Sequence, residues 1–190
     1  MDDNTIYTYK MTPDEQFIPL GSIEPIDYEG KPLLSEEPHV VKLPSGRLIC
    51  HIRAERGNEE EVFTTYQCYS DDGGVTWSKP ERIVPILGGA TSYLSVHSSG
   101  VLLSCCQHRQ PPYDIKVMFS TDNGETWDYD NPIFSFNLNE HREYPANDLG
   151  YPSTVELRDH TLLTVFYARY PEPVLNNPAL VLGQRWKLVD

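Results

Sequence analysis

Short stretches in which apolar and polar residues alternate, separated by turn-forming residues, run through most of this chain. One stretch, residues 38–43, is followed by the turn sequence Pro44-Ser45-Gly46 and by a second apolar stretch, residues 47–52. Alternation with a period of two is typical of β-strands with one buried face, and a short turn between two such stretches indicates a hairpin. The sequence has no long stretch with helical periodicity, so we predict an all-β protein.

The hairpin pattern recurs twice further along the chain. Its second copy occupies residues 93–106, with the turn at residues 98–100, and its third copy occupies residues 152–167, with the turn at residues 158–160. Gly46, Gly100 and His160 therefore hold the same position in three repeats.

A second motif follows each of the first two hairpins. Residues 70–77 and residues 120–127 both read S-x-D-x-G-x-T-W, and we call these two segments the Asp turns. Asp72 and Asp122 are suited to accept hydrogen bonds from the backbone N–H groups of a tight turn. Gly74 and Gly124 are suited to a positive φ. The Asp turns are therefore predicted to stabilise hairpins.

Hairpin and Asp turn together form a repeat of about 50 residues with four short strands, which is typical of a propeller blade. The third repeat ends in the degenerate stretch 180–186, and a strand pair within residues 6–20 precedes the first. We predict about three to four blades of a β-propeller in residues 36–190. Residues 1–35 are then a degenerate blade remnant or an N-terminal extension. A β-sandwich is the alternative architecture, and the self-similar period argues against it.

The chain carries a formal net charge of −13, which disfavours nucleic acid and anionic membrane surfaces as partners. No signal peptide and no membrane-spanning stretch is recognisable, so we expect a cytoplasmic location. The four cysteines lack metal-ligand spacing and are expected to be reduced and buried. We expect no metal ion and no cofactor.

With two Asp turns inside propeller-like repeats, the chain resembles the sialidase (neuraminidase) superfamily, in which such segments are called Asp-boxes or BNR repeats and are structural. The resemblance covers residues 36–190 and is to the C-terminal half of a six-bladed propeller. It implies a glycoside hydrolase domain that acts on or binds a terminal, anionic sugar such as sialic acid. A non-catalytic carbohydrate-binding or scaffolding propeller, and a truncated product without activity of its own, are the alternatives.

Two stretches carry the catalytic resemblance. Glu37 begins a segment that matches the family pattern E-x-x-V-V-x-L-x-x-G-x-L and is followed by Arg53, and residues 150–157 resemble the segment that holds the family's tyrosine nucleophile, here Tyr151. The resemblance implies that Glu37 is the base for Tyr151 and that Arg53 binds the substrate carboxylate. Such chemistry suits an anionic sugar, which would repel a carboxylate nucleophile.

The hairpin geometry supports this grouping independently of the family. Residues paired across the first hairpin place Glu37 beside Arg53 at its open end. The offset between the first and third repeats gives Tyr151 the same blade position as Glu37. The simpler alternatives are a surface ion pair for Glu37 and Arg53 and a packing role for Tyr151.

Three further residues are predicted to bind substrate. Arg109 is the nearest substitute for the family's third carboxylate-binding arginine, with His108 beside it, and Asp148 directly precedes Gly150 and Tyr151. A turn-capping role is the alternative for Asp148. The family's first arginine and its acid/base aspartate have no counterpart here, so enzymatic activity of this chain alone stays open. Open blade flanks would favour self-association or pairing with a partner that supplies the N-terminal blades.

Overall fold

The computed structural model describes residues 4–57, 63–83, 89–108, 111, 113–128, 134–136, 146, 148–170 and 179–189. These residues form β-strands, turns and irregular segments. The strands before the second hairpin are β1 (Ile6–Met11), β2 (Phe17–Ile23), β3 (Asp27–Tyr28), β4 (Lys31–Pro32), β5 (Leu34–Lys42), β6 (Leu48–Glu55), β7 (Thr64–Ser70) and β8 (Glu81–Arg82). The remaining strands are β9 (Gly89–Val96), β10 (Leu102–His108), β11 (Asp114–Ser120), β12 (Phe134–Ser135), β13 (Asp148–Glu156), β14 (Leu162–Arg169) and β15 (Leu180–Trp186).

The strands assemble into consecutive antiparallel sheets, as a propeller requires. Blade 1 is β5-β6-β7-β8, blade 2 is β9-β10-β11-β12, and blade 3 is β13-β14-β15. The pairs β1-β2 and β3-β4 precede blade 1. The prediction of an all-β chain with part of a propeller is confirmed. Blade 3 differs from the expected four strands, because within the described residues it has three.

The three hairpins close with the same turn. Gly46, Gly100 and His160 have φ values of 95°, 92° and 61°, all in the left-handed region. Each donates its backbone N–H to the carbonyl three residues earlier, at 2.9, 2.8 and 2.9 Å. The repeat alignment is therefore also a structural equivalence, and His160 takes a backbone conformation that the other two blades assign to glycine.

The two Asp turns also share one hydrogen-bond pattern. Ser70 donates its hydroxyl to Asp72 at 2.8 Å and accepts the Gly74 N–H at 2.9 Å. The other Asp72 oxygen accepts the Thr76 hydroxyl at 2.6 Å. Hydrogen bonds from the Thr76 hydroxyl and backbone, and then from Ser70, lower the pKa of Asp72 to about 2. Residues 120–127 repeat these bonds around Asp122.

Apolar side chains between the sheets form the core. A cluster between blades 1 and 2 contains Leu43, Ile49, Leu94 and Leu102, with Trp127 packed against it. A larger cluster joins blades 2 and 3, including Leu103, Ile115, Leu149, Phe166 and Trp186. Blades thus hold one another through stacked faces, which is the usual way in which repeat proteins bury a continuous core.

The β1-β2 hairpin packs against the first Asp turn. The Thr8 hydroxyl donates to the Gly74 carbonyl at 2.8 Å. A Cβ at Gly21 would lie 2.0 Å from the Val75 carbonyl oxygen, so this close approach requires glycine. Ile6 and Ile23 join the cluster of blade 1. The hairpin therefore covers part of the flank of blade 1.

Exposed apolar side chains lie on the outward faces at the two ends of the array. On the N-terminal hairpin Tyr7, Tyr9, Met11 and Phe17 are exposed, and on blade 3 Val155, Val165 and Val181 are exposed. None of the described residues forms a helix with the length and apolar character of a membrane span.

Candidate functional site

The first strand of each blade carries a register irregularity near its start. In β5 it lies between Glu36 and His39, and in β13 it lies between Gly150 and Ser153. Strands β5, β9 and β13 lie next to one another, so their starts meet at one end of the array. β-Bulges commonly re-aim side chains next to active sites. This end of the array is therefore the candidate functional site.

Glu37 and Tyr151 meet at these two irregularities. The Tyr151 hydroxyl donates to Glu37 Oε1 at 2.8 Å, between residues 114 positions apart in the chain. Both residues have a φ of 50°, which is unusual for side chains of this size. Tyr151 is 54 % exposed, so its phenol is accessible from solvent. A carboxylate in this position can take the phenolic proton.

Arg53 binds the other oxygen of Glu37. Its Nη1 donates to Glu37 Oε2 at 3.1 Å, and its Nε and Nη2 donate to Glu55 Oε2 at 3.0 and 2.6 Å. Glu36 lies 3.7 Å away, and the Phe63 ring lies 5.2 Å from the guanidinium. Burial lowers the pKa of Arg53, but hydrogen bonds to Glu55 and Glu37 outweigh it and raise the pKa overall. Arg53 is thus a fixed cation amid three carboxylates.

The strand register corrects one detail of the sequence-based geometry. Glu36, and not Glu37, pairs directly with Arg53 across β5 and β6, because the bulge inserts an extra residue at this point. Glu37 still reaches Arg53 from the bulged position. The structure therefore brings Glu37, Arg53 and Tyr151 together, as the hairpin geometry indicated.

Gln107 of blade 2 makes a hydrogen bond to the backbone of Tyr151. It is completely buried, and its Oε1 accepts the Tyr151 backbone N–H at 3.1 Å. A Cβ at Gly150 would lie 1.8 Å from the same oxygen. Gln107 therefore packs directly against Gly150 and fixes the backbone of Tyr151. Sequence reasoning missed Gln107, since nothing in its neighbourhood marks it as distinct from other blade residues.

Asp148 lies beside the tyrosine and holds two partners on β14. The Tyr167 hydroxyl donates to Asp148 Oδ1 at 2.7 Å, and Arg169 Nη1 lies 3.1 Å from Oδ2. The ring of Tyr167 stacks on Tyr151, with 5.9 Å between the ring centroids. Asp148 therefore joins the cluster through Tyr167. Sequence reasoning also missed Tyr167 and Arg169.

The remaining predicted residues are placed differently. His108 is buried in β10, opposite the buried Asp114. Because neighbouring residues of a strand point to opposite faces, His108 points away from the face through which Gln107 contacts Tyr151. Arg109 lies outside the described residues. Among the residues that the structure describes, no group of three or more His, Cys, Asp or Glu side chains is placed to hold a metal ion.

Residues 25–165 match the family described as BNR repeat-like domain. No curated protein sequence matches the chain. Solved structures share its fold. The chain is similar to a protein of unknown function from Dyadobacter fermentans, with 18 % identity and a TM-score of 0.69 over 91 % of this chain and 42 % of that one.

Two further structures are named for carbohydrate enzymes. The Hadza microbial sialidase Hz136 has 17 % identity and a TM-score of 0.63, over 95 % of this chain and 39 % of that one. The GH93 α-L-arabinofuranosidase of Fusarium graminearum has 16 % identity and a TM-score of 0.63, over 90 % and 51 %. At these identities the likeness shows the fold. The chain spans between 39 % and 51 % of the length of these three structures.

Proposed function

Because the chain belongs to the family of BNR repeat-like domains, we propose that it is a carbohydrate-active propeller domain of glycoside hydrolase type, with its site at Tyr151, Glu37 and Arg53. The observation that carries this proposal is the 2.8 Å bond from the Tyr151 hydroxyl to Glu37 Oε1. It joins a nucleophile and a base across two blades, at an accessible end of the array. The names of the structural neighbours support sugars as the ligand class.

In the proposed reaction the Tyr151 oxygen bonds to the anomeric carbon of a terminal sugar, the bond from that carbon to the leaving oxygen breaks, and Glu37 takes the phenolic proton. Water then attacks the same carbon and releases Tyr151, which regains its proton. Arg53 orients Glu37, because it donates to the oxygen that Tyr151 does not use. The leaving oxygen needs a proton from a general acid. In the described cluster Glu36, Glu37 and Glu55 face Arg53, and Asp148 faces Arg169. Because each of these carboxylates is engaged by an arginine, we assign none of them the role of the acid.

We further propose that the sugar is anionic, with its carboxylate on Arg53, as in the sialidase superfamily. A planar guanidinium binds a carboxylate well. The sugar would have to displace one of the carboxylates already present. Glu36 is the most easily displaced, because its contact is the longest at 3.7 Å and its side chain is 43 % exposed.

A binding experiment with the whole chain tests the anionic sugar. Calorimetry should compare α-methyl sialoside with a neutral methyl glycoside. We expect Arg53→Ala to weaken the sialoside about tenfold or more, since it removes charge-assisted hydrogen bonds. Arg185→Ala, which removes an exposed arginine paired with Asp159, is the matched control. Equal weakening of both sugars by Arg53→Ala would reject the carboxylate role.

Non-catalytic carbohydrate binding is the second candidate function, and it is favoured by the pairing of every carboxylate in the described cluster with a cation. A general acid typically contributes about 10²–10⁴-fold to the rate. We therefore expect this chain alone to hydrolyse a fluorogenic sialoside poorly or not at all. If the wild type and Tyr151→Phe both bind the sugar and neither hydrolyses it, the binding function is favoured. Rapid hydrolysis by the wild-type chain alone would exclude a purely binding function.

A further inference from the structure

A second concave site lies at the other end of the strands, between blades 1 and 2. There the second Asp turn, residues 120–127, reaches over the outer part of blade 1. The groove has a volume of about 510 Å³, within the range of ligand pockets of roughly 300–1,000 Å³. Arg47, which lines it and directly precedes β6, lies six positions before Arg53, or about 20 Å along an extended chain. The groove is thus separate from the Tyr151 site.

Hydrogen bonds across the blades fix the walls of the groove. Gln67 of blade 1 donates to the Gly124 carbonyl of blade 2 at 2.8 Å and accepts the Trp127 indole N–H at 2.9 Å. Arg47 of blade 1 lies 3.2 Å from Glu125 of blade 2. These contacts form the groove from parts of both blades before any ligand binds. A preformed site loses less free energy to ordering when it binds.

The lining suits a sugar and not an apolar molecule. Tyr69 lines the groove and is 41 % exposed, and the Arg47 guanidinium lies 4.3 Å from the centroid of its ring, so this stacked pair forms a partly aromatic wall for contact with a sugar ring. Around it lie side chains that both donate and accept hydrogen bonds, among them Ser78, Asn123 and Thr126. Pockets for apolar ligands are lined mainly by hydrophobic side chains. This groove instead offers the hydrogen-bonding groups that sugar hydroxyls require.

The charges of the groove balance, which indicates a neutral ligand. The basic side chains are Arg47, Lys79 and Arg82, and the acidic ones on the lining are Glu81 and Glu125. Asp71 adds a third carboxylate, because it holds Arg47 at 2.7 Å. Hydrogen bonding to Asp71 raises the pKa of Arg47, so this pair stays fully ionised. An anionic ligand gains no net attraction here, whereas sugar hydroxyls can bond to groups of both signs.

We propose that this groove binds a neutral oligosaccharide and is a second carbohydrate site of the protein. Its ligand makes contact with Tyr69 and with the Asp turn of blade 2, and no bond in the sugar is broken there. Two sites on one domain hold a polymer more tightly than either alone when both are engaged. Binding in the groove would therefore hold the protein on a glycan while the proposed Tyr151 site acts on the terminal sugar of that glycan.

The test begins with the whole chain on an array of neutral and acidic glycans, followed by calorimetry with the tightest neutral oligosaccharide. We expect Tyr69→Ala to weaken binding about tenfold. Tyr9→Ala, which removes a tyrosine that is 53 % exposed on the N-terminal hairpin, should leave the affinity unchanged. Tyr151→Phe should also leave it unchanged, and this separates the groove from the Tyr151 site. Lys79→Ala, a milder change in the groove, should weaken binding severalfold.

Nuclear magnetic resonance supplies a readout that does not depend on a folded variant. The chain has three tryptophans, and the indole N–H of Trp127 lies in the groove wall. Titration of wild-type protein with the neutral oligosaccharide should shift the Trp127 indole signal and leave those of Trp77 and Trp186 in place. The proposal would be overturned if the chain bound only acidic glycans or no glycan at all. It would also be overturned if the neutral oligosaccharide bound and left the Trp127 signal unchanged.

Discussion

Glu37 and Tyr151 combine an unusual backbone with a hydrogen bond at the proposed site. Both are large residues at a φ of 50°, where most side chains clash with their own backbone. Such strain persists only where the surrounding structure imposes it, and it concentrates at functional sites. Here the bulges of two first strands impose the conformation, and a hydrogen bond between the two side chains results. Glu37 and Tyr151, two of the non-glycine residues with a positive φ, are thus also the pair to which the proposed chemistry is assigned.

Because Gln107 packs against Gly150 and bonds to Tyr151, a methyl group added at Gly150 should change both stability and sugar binding. Gly150→Ala would place a Cβ 1.8 Å from Gln107 Oε1, so the buried glutamine must move and Tyr151 must lose its backbone contact. We expect a loss of about 1–3 kcal/mol in the free energy of unfolding, as for other overpacked sites, together with weaker sugar binding. Urea denaturation and calorimetry measure the two effects.

Gly183 on β15 of the same blade provides the matched control. A Cβ there would meet its nearest atom, in Val165, at 3.5 Å, which is an ordinary contact. Gly183→Ala should therefore leave both the free energy of unfolding and the sugar affinity nearly unchanged. If the two alanine variants behaved alike, Gln107 would not be a positioning residue for Tyr151.

At the scale of elements, the Asp turns tie the stability of the blades to pH. The pKa of Asp72 is lowered to about 2 in the folded protein, against about 4 in an unfolded chain. Because the folded pKa is the lower one, the stabilisation is complete above about pH 4 and is lost as the pH falls toward 2. Asp72→Asn keeps the shape of the side chain and should remove this contribution to the pH dependence of folding stability.

Thermal unfolding between pH 2 and 7 measures this dependence. We expect the melting temperature of Asp72→Asn to lie below that of the wild type at pH 7 and to approach it at pH 2. Asp27→Asn, in the short strand β3, is a control for the general effect of losing one charge. A constant difference in melting temperature across the pH range would show that the Asp72 turn does not act through its ionised form.

The elements were predictable where local sequence determines them, and the site only in part. Gly46 and Gly100 mark tight turns, so the hairpins and their residue pairing could be derived directly. The bulges could not be derived in this way, because the position of an inserted residue depends on how the first strands of the blades pack against one another. With the offset of 114 between the first and third repeats, the pairing rule that placed Glu37 beside Arg53 also places Tyr167 beside Tyr151, so this stacking partner was within reach of the sequence.

Gln107 and the carboxylates around Arg53 illustrate what the sequence does not contain. Gln107 acts through the stacking of blade 2 on blade 3, a tertiary relation with no local signature. Glu55 follows Arg53 by two positions on one strand and so shares its face, but alternation alone does not distinguish an ion pair from two solvated charges.

For the whole molecule, the exposed apolar side chains at the two ends of the array predict self-association. Val181 is 82 % exposed on the outer face of blade 3, and Val155 and Val165 on the same sheet are also exposed. Exposed apolar faces of this kind mark interaction surfaces. We expect sedimentation velocity at micromolar concentration to show association of the chain that grows with concentration, and Val181→Glu to reduce it.

Val189 supplies the comparison for this substitution. It is 79 % exposed but lies beyond the end of β15, outside the sheet face. Val189→Glu adds the same charge and should leave association unchanged. A wild-type chain that sediments as a monomer at every concentration would show that the outer faces of blade 3 and of the β1-β2 hairpin do not attract one another.

The meeting of Glu37 and Tyr151 at equivalent bulges has a consequence for how such a protein could arise from copies of one ancestral unit. Faithful copies would place the same side chain at both positions, giving two acids or two phenols, and neither pair combines a base with a neutral nucleophile. Duplication can therefore supply the scaffold, while the chemistry requires the copies to diverge at this one position. The backbone preserves the symmetry of the array, and the proposed function depends on different side chains at this one position.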